Sequence, residues 1–424
     1  MQDIPYWWAT APDLPSFTGR ALPSRVDVAV IGSGYTGLSA ARQLARSGAS
    51  VIVLERETIG WGASSRNGGQ VLTGLKLGAA DLIRKFGRDR ARELYAASLA
   101  SIEYVEQVIA EEKIECDYGR VGHLEAAFKP AHFDHFKRAQ ELLAREFDHP
   151  VKLVERREQA SELGSNFYHG VLVDERSAGL HPTKYVRGMA LAASRAGAEL
   201  HEKTPALRIE RNAADFNVAT SRGSFTAKEV LVASNGYTDA AAPALRRRVI
   251  PIGSNIIATG PLRDDIAARL LPKRRVVFDS KNFLYYFRLS GDNRMLFGGR
   301  AQFTPATPYS TRQSVSILRR GMLEVFTELR DVEVEYAWSG NVCFTLDRFP
   351  HAGRLDGVHY ALGYGGHGVA MATYLGAVIA DAILGTGDRN PFRDLRFDAI
   401  PLYTGEPWFL TLAGMWYRFL DWLQ

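Results

Sequence analysis

The 424-residue sequence has little cysteine. Its two cysteines, Cys116 and Cys343, lie far apart, and neither has the clustered His or Cys neighbours of a zinc site. This argues against a disulfide framework and a structural metal, and a reducing cytosol fits the composition. We therefore predict no metal centre.

Long apolar runs and runs of one charge sign are also lacking. The N-terminus at 1–8 (MQDIPYWW) does not have the basic stretch and apolar core of a secretory signal. The 52 Lys and Arg residues exceed the 47 Asp and Glu residues only slightly, without a long basic run. This mild excess suits an anionic cofactor and substrate better than nucleic acid. We expect a cytoplasmic protein with no nucleic-acid partner.

The C-terminal residues are the one strongly apolar stretch. Residues 408–424 (WFLTLAGMWYRFLDWLQ) are slightly short for a membrane span and are interrupted by Arg418 and Asp421. We predict that 406–424 forms a hydrophobic helical tail packed on the protein's own surface or on a neighbouring subunit. The alternative is peripheral contact with the inner face of a membrane.

A glycine-rich turn follows the first predicted strand. Residues 25–31 (RVDVAVI) have the composition of a buried parallel strand and run directly into GSGYTG, a G-x-G-x-x-G pattern. Here Gly32 allows a tight turn, Gly34 lets the main chain approach a pyrophosphate, and Gly37 lets the next helix pack closely. Free N–H groups and the helix dipole then favour the phosphates.

An acidic residue ends the second predicted strand. After a helix that stops at Gly48, residues 50–54 (SVIVL) lead to Glu55, which lies 23 positions after Gly32. That is close to the spacing of an acid that binds a ribose hydroxyl, so the sequence predicts a dinucleotide site. Glu55 argues against NADP but does not separate NAD from FAD.

Five further segments decide between these cofactors by resemblance. They are 59–70 (IGWGASSRNGGQ), 177–182 (SAGLHP), 229–236 (EVLVASNG), 338–353 (beginning WSG) and 363–368 (GYGGHG). Through them the chain resembles the FAD-dependent amino acid and amine oxidase family, which includes glycine oxidase and sarcosine oxidase. It looks closest to gamma-glutamylputrescine oxidoreductase-like members, because it also carries PYWW at 5–8 and LDRFP at 346–350.

The resemblance implies an α/β fold with two interleaved domains. A Rossmann-type FAD-binding domain is expected from 1–78, 164–246 and 336–405. An α+β substrate domain built on an antiparallel sheet is expected from 79–163 and 247–335.

The resemblance also implies the residues that bind FAD. Its last segment is expected to end a strand and open a helix beneath the flavin ring, so that main-chain N–H groups there stabilise reduced flavin. That helix is predicted over 369–384. The predicted cofactor-binding residues are Gly32, Ser33, Gly34, Tyr35, Thr36, Gly37, Glu55, Arg56, Gly62, Ala63, Ser64, Arg66, Asn67, Gly68, Gly69, Ala206, Ala233, Ser234, Asn235, Gly236, Gly365, Gly366, His367 and Gly368.

Candidate catalytic residues come mainly from a predicted hairpin. Residues 282–288 and 294–300 read as two strands joined by SGDN. In the family such a sheet covers the flavin, so aromatic walls and guanidinium groups there are candidates to line the pocket and bind a carboxylate. The alternative is that these alternate strand residues face solvent or core. The predicted catalytic residues are Tyr286, Arg288, Arg300, Lys281 and His367.

Some family features are absent from this chain. Glycine oxidase has an arginine soon after its Trp-x-Gly, where this sequence has Asn341 and Val342. Sarcosine oxidase has a lysine two residues after its Gly-His-Gly, where this sequence has Ala370. Lys76 and Lys281 are alternative sources of positive charge. Cys343 is out of register with cysteines that tether flavin in relatives, so non-covalent FAD is predicted.

The implied reaction is oxidation of the C–N bond of a secondary amino acid or amine. Hydride passes to flavin N5, water hydrolyses the imine, and O2 reoxidises the flavin to give H2O2. An N-substituted glycine of the sarcosine or iminodiacetate type is the first expected substrate, and a gamma-glutamylputrescine-type polyamine is its rival. Two other functions stay open: a membrane-associated dehydrogenase that passes electrons to quinone, and a non-catalytic flavoprotein.

Overall fold

The computed structural model describes residues 1–424 except 20, 213, 300–307, 388, 411, 413 and 415–424. Its α-helices are α1 Tyr6–Ala9, α2 Tyr35–Arg46, α3 Ala63–Arg66, α4 Ala79–Phe86, α5 Arg88–Glu112, α6 Pro130–Phe147, α7 Pro182–Arg195, α8 Pro243–Arg246, α9 Asp264–Leu270, α10 Pro308–Val325 and α11 Gly368–Leu384. Short 3-10 turns lie at Gln159–Ser161, Asn235–Tyr237 and Thr327–Leu329.

The strands are β1 Arg25–Ile31, β2 Val51–Leu54, β3 Gln70–Val71, β4 His123–Ala126, β5 Lys152–Val154, β6 Val171–Asp174, β7 Ala178–Gly179, β8 Glu199–His201, β9 Ala206–Asn212, β10 Asp215–Thr220, β11 Gly223–Val232, β12 Ile250–Pro261, β13 Val276–Asp279, β14 Tyr285–Leu289, β15 Arg294–Gly299, β16 Val334–Phe344, β17 His351–Leu355 and β18 Val358–Leu362.

The first sheet has the order β17, β18, β11, β1, β2, β8, and β10 and β9 continue from β11. The β1–β2, β1–β11, β2–β8 and β11–β18 pairs are parallel. Parallel strands joined by helices are buried on both faces, which explains the uninterrupted apolar strand sequences. Val28 and Val30 pack with α2, α5, α7 and α11, whereas Ala29 packs on the opposite face with Phe216 of β10.

Helices α2 and α11 cross closely above this sheet. A Cβ at Gly376 of α11 would clash with the carbonyl oxygen of Thr36, so only glycine permits this approach. Helix α11 spans one residue more than was predicted at its start and ends, as expected, before Gly385, which has φ +68°. The crossing brings the N-termini of both helices to the same side of the sheet.

The second sheet has the order β16, β12, β15, β14, β13, β4, β6, β5. Its pairs are antiparallel except β13–β4, which are parallel. One face packs on α10, where Phe287 and Phe297 contact Leu318 and Met322. The opposite face looks toward the first sheet. The predicted α/β fold, with a Rossmann-type sheet and a second, largely antiparallel sheet, is confirmed.

The predicted domain boundaries differ from the sheet membership at three elements. Strands β6 and β16 lie within segments assigned to the FAD-binding domain but pair in the second sheet. Helix α5 lies in a segment assigned to the substrate domain, yet Ile102 and Val105 pack with α2 and α11 in the core against the first sheet. The division into domains therefore stays a prediction, and these three elements pack with the domain to which they were not assigned.

Among the described residues, no helix is both long enough and apolar enough to span a bilayer. The predicted tail at 406–424 falls mostly outside the described residues.

Candidate functional site

A cavity of about 480 Å³ lies between the two sheets. Its volume is in the usual range of cofactor and ligand pockets. The carboxyl ends of β1, β2 and β11 and the N-termini of α2 and α11 form one side. The second sheet forms the other. The predicted residues that line it are Gly32, Ser33, Gly34, Tyr35, Thr36, Glu55, Arg56, Gly62, Ala63, Ser64, Arg66, Asn67, Gly68, Ala206, Ala233, Ser234, Asn235, Tyr286, Gly365, Gly366, His367 and Gly368.

The glycine-rich turn has the geometry that the sequence predicted. Gly32 has φ +105°, and a Cβ there would lie 3.0 Å from the carbonyl oxygen of Ala233. A Cβ at Gly37 would clash with the carbonyl oxygen of Gly32, which lets α2 start directly against the turn. The N-cap residue of α2, Gly34, has no side chain to cap the helix, and only the Tyr35 N–H is taken by a side chain, that of Ser64. The other first N–H groups and the helix dipole remain for a ligand in the cavity.

The carboxylate of Glu55 lies at the mouth of this turn. It accepts hydrogen bonds from the main-chain N–H of Ser33 (3.1 Å), the Ser33 hydroxyl (2.5 Å) and the N–H of Glu57 (2.9 Å). The neighbouring Arg56 pairs with Asp239, and both line the cavity. This end of the cavity is therefore polar and carries both signs of charge.

The segment around α3 closes the middle of the cavity. Ser64 accepts a hydrogen bond from the N–H of Tyr35 (3.0 Å), and Asn67 accepts one from the N–H of Gly69 (2.8 Å). The Arg66 guanidinium lies over the ring of Trp61, 4.3 Å from its centroid, and burial lowers its pKa. These contacts fix the loop against the start of α2.

The N-terminal helix α1 holds the same segment from outside, which the sequence did not predict. Trp7 donates a hydrogen bond to the carbonyl of Asn67 (2.8 Å), and Trp8 donates one to the Ser65 hydroxyl (2.8 Å). The Trp8 ring also lies 4.5 Å from the Arg66 guanidinium. The aromatic PYWW motif at the N-terminus was the available signal.

The N-terminus of α11 forms the opposite end of the cavity. Its N-cap residue His367 provides no side-chain cap, and no partner among the described residues bonds its buried ring Nδ1. Burial lowers the pKa of His367 to about 3, and the charge of Lys76 contributes in the same direction. The imidazole is therefore neutral at physiological pH. Asn235 supports the preceding strand end by accepting a hydrogen bond from the N–H of Gly363 (2.9 Å).

The second sheet covers this end with aromatic and small residues. Tyr286 of the predicted hairpin lies on the cavity, and its hydroxyl is 3.0 Å from that of Ser254. The hairpin itself is confirmed as β14 and β15 with Asn293 in the left-handed region at φ +62°. Phe278 and Leu284 complete an apolar wall.

Arg288 does not lie on the cavity, contrary to the prediction. Its guanidinium donates hydrogen bonds to the carbonyls of Gly69 (2.7 Å) and Leu180 (3.0 Å). Burial lowers its pKa to about 10. It shares a sheet face with Tyr286, but the two-residue rise along the strand carries it past the cavity wall. Its position is that of a structural link between the second sheet and the α3 segment.

Lys281 also lies away from the cavity. Its ammonium pairs with Asp279 at 3.2 Å and lies 3.3 Å from the centroid of the Tyr285 ring. Burial raises the pKa of Asp279 to about 6, and Lys281 opposes that shift. Arg300, the third basic candidate, is outside the described residues. Among the basic catalytic candidates that are described, only His367 borders the cavity.

Three predicted cofactor residues support the wall from behind instead of lining it. Gly37 packs under the turn, Gly69 accepts from Arg288, and Gly236 packs against Asn341 and Cys343. The predicted set did not include the rest of the lining. Some of these residues, such as Phe278, come from strands that approach only in the folded chain, whereas others flank predicted residues, and Lys76 was considered only as a source of positive charge. The additional lining residues are Ile31, Leu54, Glu57, Trp61, Gln70, Leu72, Lys76, Pro205, Tyr237, Asp239, Ser254, Phe278, Leu284, Gly340, Asn341, Val342, Cys343, Phe344, Tyr364, Val369 and Ala372.

Within the part of the chain that the structure describes, no cluster of three His, Cys, Asp or Glu side chains could hold a metal ion. The cavity offers main-chain donors and a few polar side chains to a ligand or cofactor.

Comparison with known proteins identifies that cofactor. The family model described as FAD dependent oxidoreductase matches residues 27–382. This chain belongs to that family. A curated relative, gamma-glutamylputrescine oxidoreductase of Escherichia coli, is 35% identical over 365 residues, covering 86% of this chain and 84% of the relative. The "probable oxidoreductase OrdL" of Rhizobium meliloti is 36% identical over 422 residues, covering 98% and 97%.

A solved structure agrees in fold. Glycine oxidase from Geobacillus kaustophilus superposes with a TM-score of 0.73 at 20% identity, covering 90% of this chain and 99% of that one. The prediction of an FAD-dependent oxidoreductase is confirmed by the family match.

The described residues fit FAD at both ends of the cavity. Gly32 and Gly37 let the turn close against Ala233 and the start of α2, so that the N-terminus of α2 lies beside the cavity, as a pyrophosphate requires. At the other end, the N-terminus of α11 has no side-chain cap, and the Nδ1 atom of His367 has no partner among the described residues. These groups can donate or accept hydrogen bonds at the polar edge of the flavin ring. Asn67 and Tyr286 also line the cavity.

Proposed function

We propose that this family member oxidises the C–N bond of an amine or amino acid. The observation that supports this most directly is the lining of the cavity near the N-terminus of α11. There the apolar side chains of Phe278, Leu284 and Phe344 lie beside a few polar groups. Bound FAD supplies a hydride acceptor. The residues of this chain supply orientation, exclusion of water and charge, which are the contributions that such a transfer needs from a protein.

His367 and Tyr286 are the proposed polar contacts of the substrate or the ring. Because the pKa of His367 is lowered to about 3, its ring exchanges hydrogen bonds without adding charge. Tyr286 is oriented by its contact with Ser254. Each can hold the amine nitrogen in its neutral form beside the cofactor, after which water hydrolyses the imine product to a carbonyl compound and an amine.

Cys343 also lines the cavity, but its chemistry does not favour a nucleophilic or tethering role. Burial raises the pKa of its thiol to about 12, so that the reactive thiolate is scarce. We propose that FAD is bound without a covalent link, as the sequence predicted.

Two substrate classes are proposed. The first is an N-substituted glycine of the sarcosine or iminodiacetate type. The second is a gamma-glutamylputrescine-type polyamine, and the relative of that name at 35% identity favours it. We propose O2 as the terminal acceptor, with H2O2 as product, in the cytoplasm. Transfer to a membrane quinone through the tail is the alternative, and the tail lies mostly outside the described residues.

The test is anaerobic reduction of the purified flavoprotein by a panel that contains both classes. Bleaching of the flavin band by one compound identifies its class, and return of colour with H2O2 on admission of air identifies an oxidase. Bleaching without prompt return of colour indicates a dehydrogenase. A protein that no amine bleaches would be a flavoprotein of another kind.

A further inference from the structure

Residues 2–10, called here the N-terminal strap, run from the second sheet to the helices of the first. At the start of the strap, Gln2 pairs with β16: its N–H donates to the carbonyl of Glu335 (2.6 Å), and its carbonyl accepts from the N–H of Ala337 (3.0 Å). At its end, the Thr10 hydroxyl lies 3.0 Å from Nε2 of His181, the residue just before α7. The strap therefore connects elements of both sheets.

Tyr6 fastens the middle of the strap to the hairpin of the second sheet. Its hydroxyl donates a hydrogen bond of 2.6 Å to the carboxylate of Asp292, in the turn between β14 and β15. That carboxylate is itself held by the Ser290 hydroxyl (2.5 Å) and by Nε of Arg294 (2.8 Å). The Tyr6 ring is buried and packs with Trp338. Tyr6 is thus bound to a well-supported acceptor, and neither it nor Asp292 lines the cavity.

The next two residues of the strap bond the α3 segment. Trp7 donates to the carbonyl of Asn67, and Trp8 donates to the hydroxyl of Ser65, both at 2.8 Å. Asn67 lines the cavity, whereas Ser65 is buried and does not line it. The tryptophans therefore hold the back of a segment whose front faces the cavity.

Helix α1 is too short to orient these side chains by itself. It has four residues and no side-chain cap, and helices of this length are not stable in isolation. The position of its backbone therefore depends on the contacts of its side chains. Tyr6 and Trp7 lie in the same turn with ring centroids 5.2 Å apart, so a shift of Tyr6 also displaces the tryptophans that follow it.

The second sheet also reaches the α3 segment without the strap. Trp338 donates a hydrogen bond of 2.8 Å to the carbonyl of Arg66. The segment lies against the start of α2, where the Ser64 hydroxyl accepts from the N–H of Tyr35 (3.0 Å). Loss of the Tyr6 contact should therefore loosen the segment at the place where the pyrophosphate is expected, while Trp338 keeps it from detaching.

We propose that Tyr6 is a positioning residue for FAD that acts through Trp7 and Trp8 from outside the cavity. Its bond to Asp292 keeps the strap in place, the strap holds the α3 segment closed over the cofactor, and FAD leaves when that segment opens. Docking of the strap and binding of FAD favour each other, because each stabilises the closed segment.

Tyr6→Phe tests this role because it removes only the hydroxyl and keeps the packed ring. We expect FAD to leave this variant about fivefold faster than the wild-type protein. The holoprotein is diluted far below the Kd of FAD, and release is followed by the rise in free-flavin fluorescence. Tyr118→Phe is the matched control, because it removes another tyrosine–carboxylate bond, 2.7 Å to Glu106, outside the strap. It should leave the release rate unchanged.

A combined variant separates positioning from a general loss of stability. In a protein that carries both Trp7→Phe and Trp8→Phe, the strap no longer bonds the α3 segment through indole N–H groups, so adding Tyr6→Phe should not speed release further. Release at the wild-type rate in Tyr6→Phe, or equal acceleration in Tyr118→Phe, would refute the proposal. Further acceleration by Tyr6→Phe in the combined variant would also refute it, because Tyr6 would then act without the tryptophans. Should Tyr6→Phe fail to fold, Asp292→Asn weakens the same bond from its acceptor side and is expected to give the same result.

Discussion

The Arg288 guanidinium donates a hydrogen bond of 2.7 Å to the carbonyl of Gly69. A second bond of 3.0 Å reaches the carbonyl of Leu180. Gly69 lies shortly after α3, and Leu180 lies just before α7, so one side chain of the second sheet joins two segments that are far apart in the sequence. A charged group that the sequence offered as a substrate ligand thus serves the architecture of the cavity.

Replacing Arg288 by Met should destabilise the holoprotein. The Leu180 carbonyl loses the guanidinium donor at a cost of about 1–3 kcal/mol, the Gly69 carbonyl keeps the Leu180 N–H (2.9 Å), and the methionine fills part of the volume. We expect a lower thermal unfolding midpoint and faster loss of FAD. Scanning calorimetry and the flavin absorbance ratio measure both. Arg157→Met, at an exposed position, is the control. Normal stability combined with lost substrate binding would instead restore Arg288 as a substrate ligand.

The contrast between Gly32 and Phe278 explains what the sequence could reveal. The turn beginning at Gly32 is built from contiguous residues, so spacing alone predicted its shape. Phe278 lines the cavity on β13, which pairs with β4, some 150 positions earlier in the chain, and no local pattern encodes such a pairing.

The sequence predicted which residues share one face of a strand, but not which of them line the cavity. The two-residue repeat correctly put Tyr286 and Arg288 on one face, yet only Tyr286 borders the cavity. Which residue along a face lines the cavity depends on where the second sheet lies against the first sheet. The N-terminal contacts of Trp7 and Trp8 were missed for the same reason, since their partners are about 60 positions away.

Gly37→Ala should abolish FAD retention. The new Cβ would clash with the carbonyl of Gly32, which belongs to the main chain of the turn and cannot rotate away as a flexible side chain could. The protein should be purified largely colourless, as read from the ratio of flavin to protein absorbance. Gly291→Ala is the matched control, because nothing lies within 4 Å of its added Cβ. Full flavin content in Gly37→Ala would refute the assigned role of the turn.

Acid precipitation should release the flavin. Because burial raises the pKa of the Cys343 thiol to about 12, we expect no thioether link, and the yellow colour should pass entirely to the supernatant. Cys343→Ser should retain FAD to the same extent as the wild-type protein. Colour that stays with the precipitate of the wild-type protein, but not with that of Cys343→Ser, would identify a covalent bond.

Trp8→Phe should loosen the α3 segment. The substitution removes the donor to Ser65 and weakens the ring contact with Arg66, while it keeps an aromatic residue in place. We expect a several-fold rise in the Kd of FAD, roughly 1 kcal/mol, measured by fluorescence titration of the apoprotein. Trp408→Phe, at an exposed position, should leave this constant unchanged. Equal FAD affinity in both variants would show that α1 does not hold the cofactor loop.

The stability of the protein should depend on pH through Glu125. Burial raises the pKa of this carboxyl on folding from 4.5 to about 7, so the folded state holds the proton more tightly, and this contribution to stability is lost as the pH rises between these values. Glu125→Gln should therefore raise the stability of the protein at pH 8 relative to its stability at pH 5. Thermal unfolding of both proteins at each pH measures the effect. The same pH dependence in Glu125→Gln as in the wild-type protein would show that another group causes it.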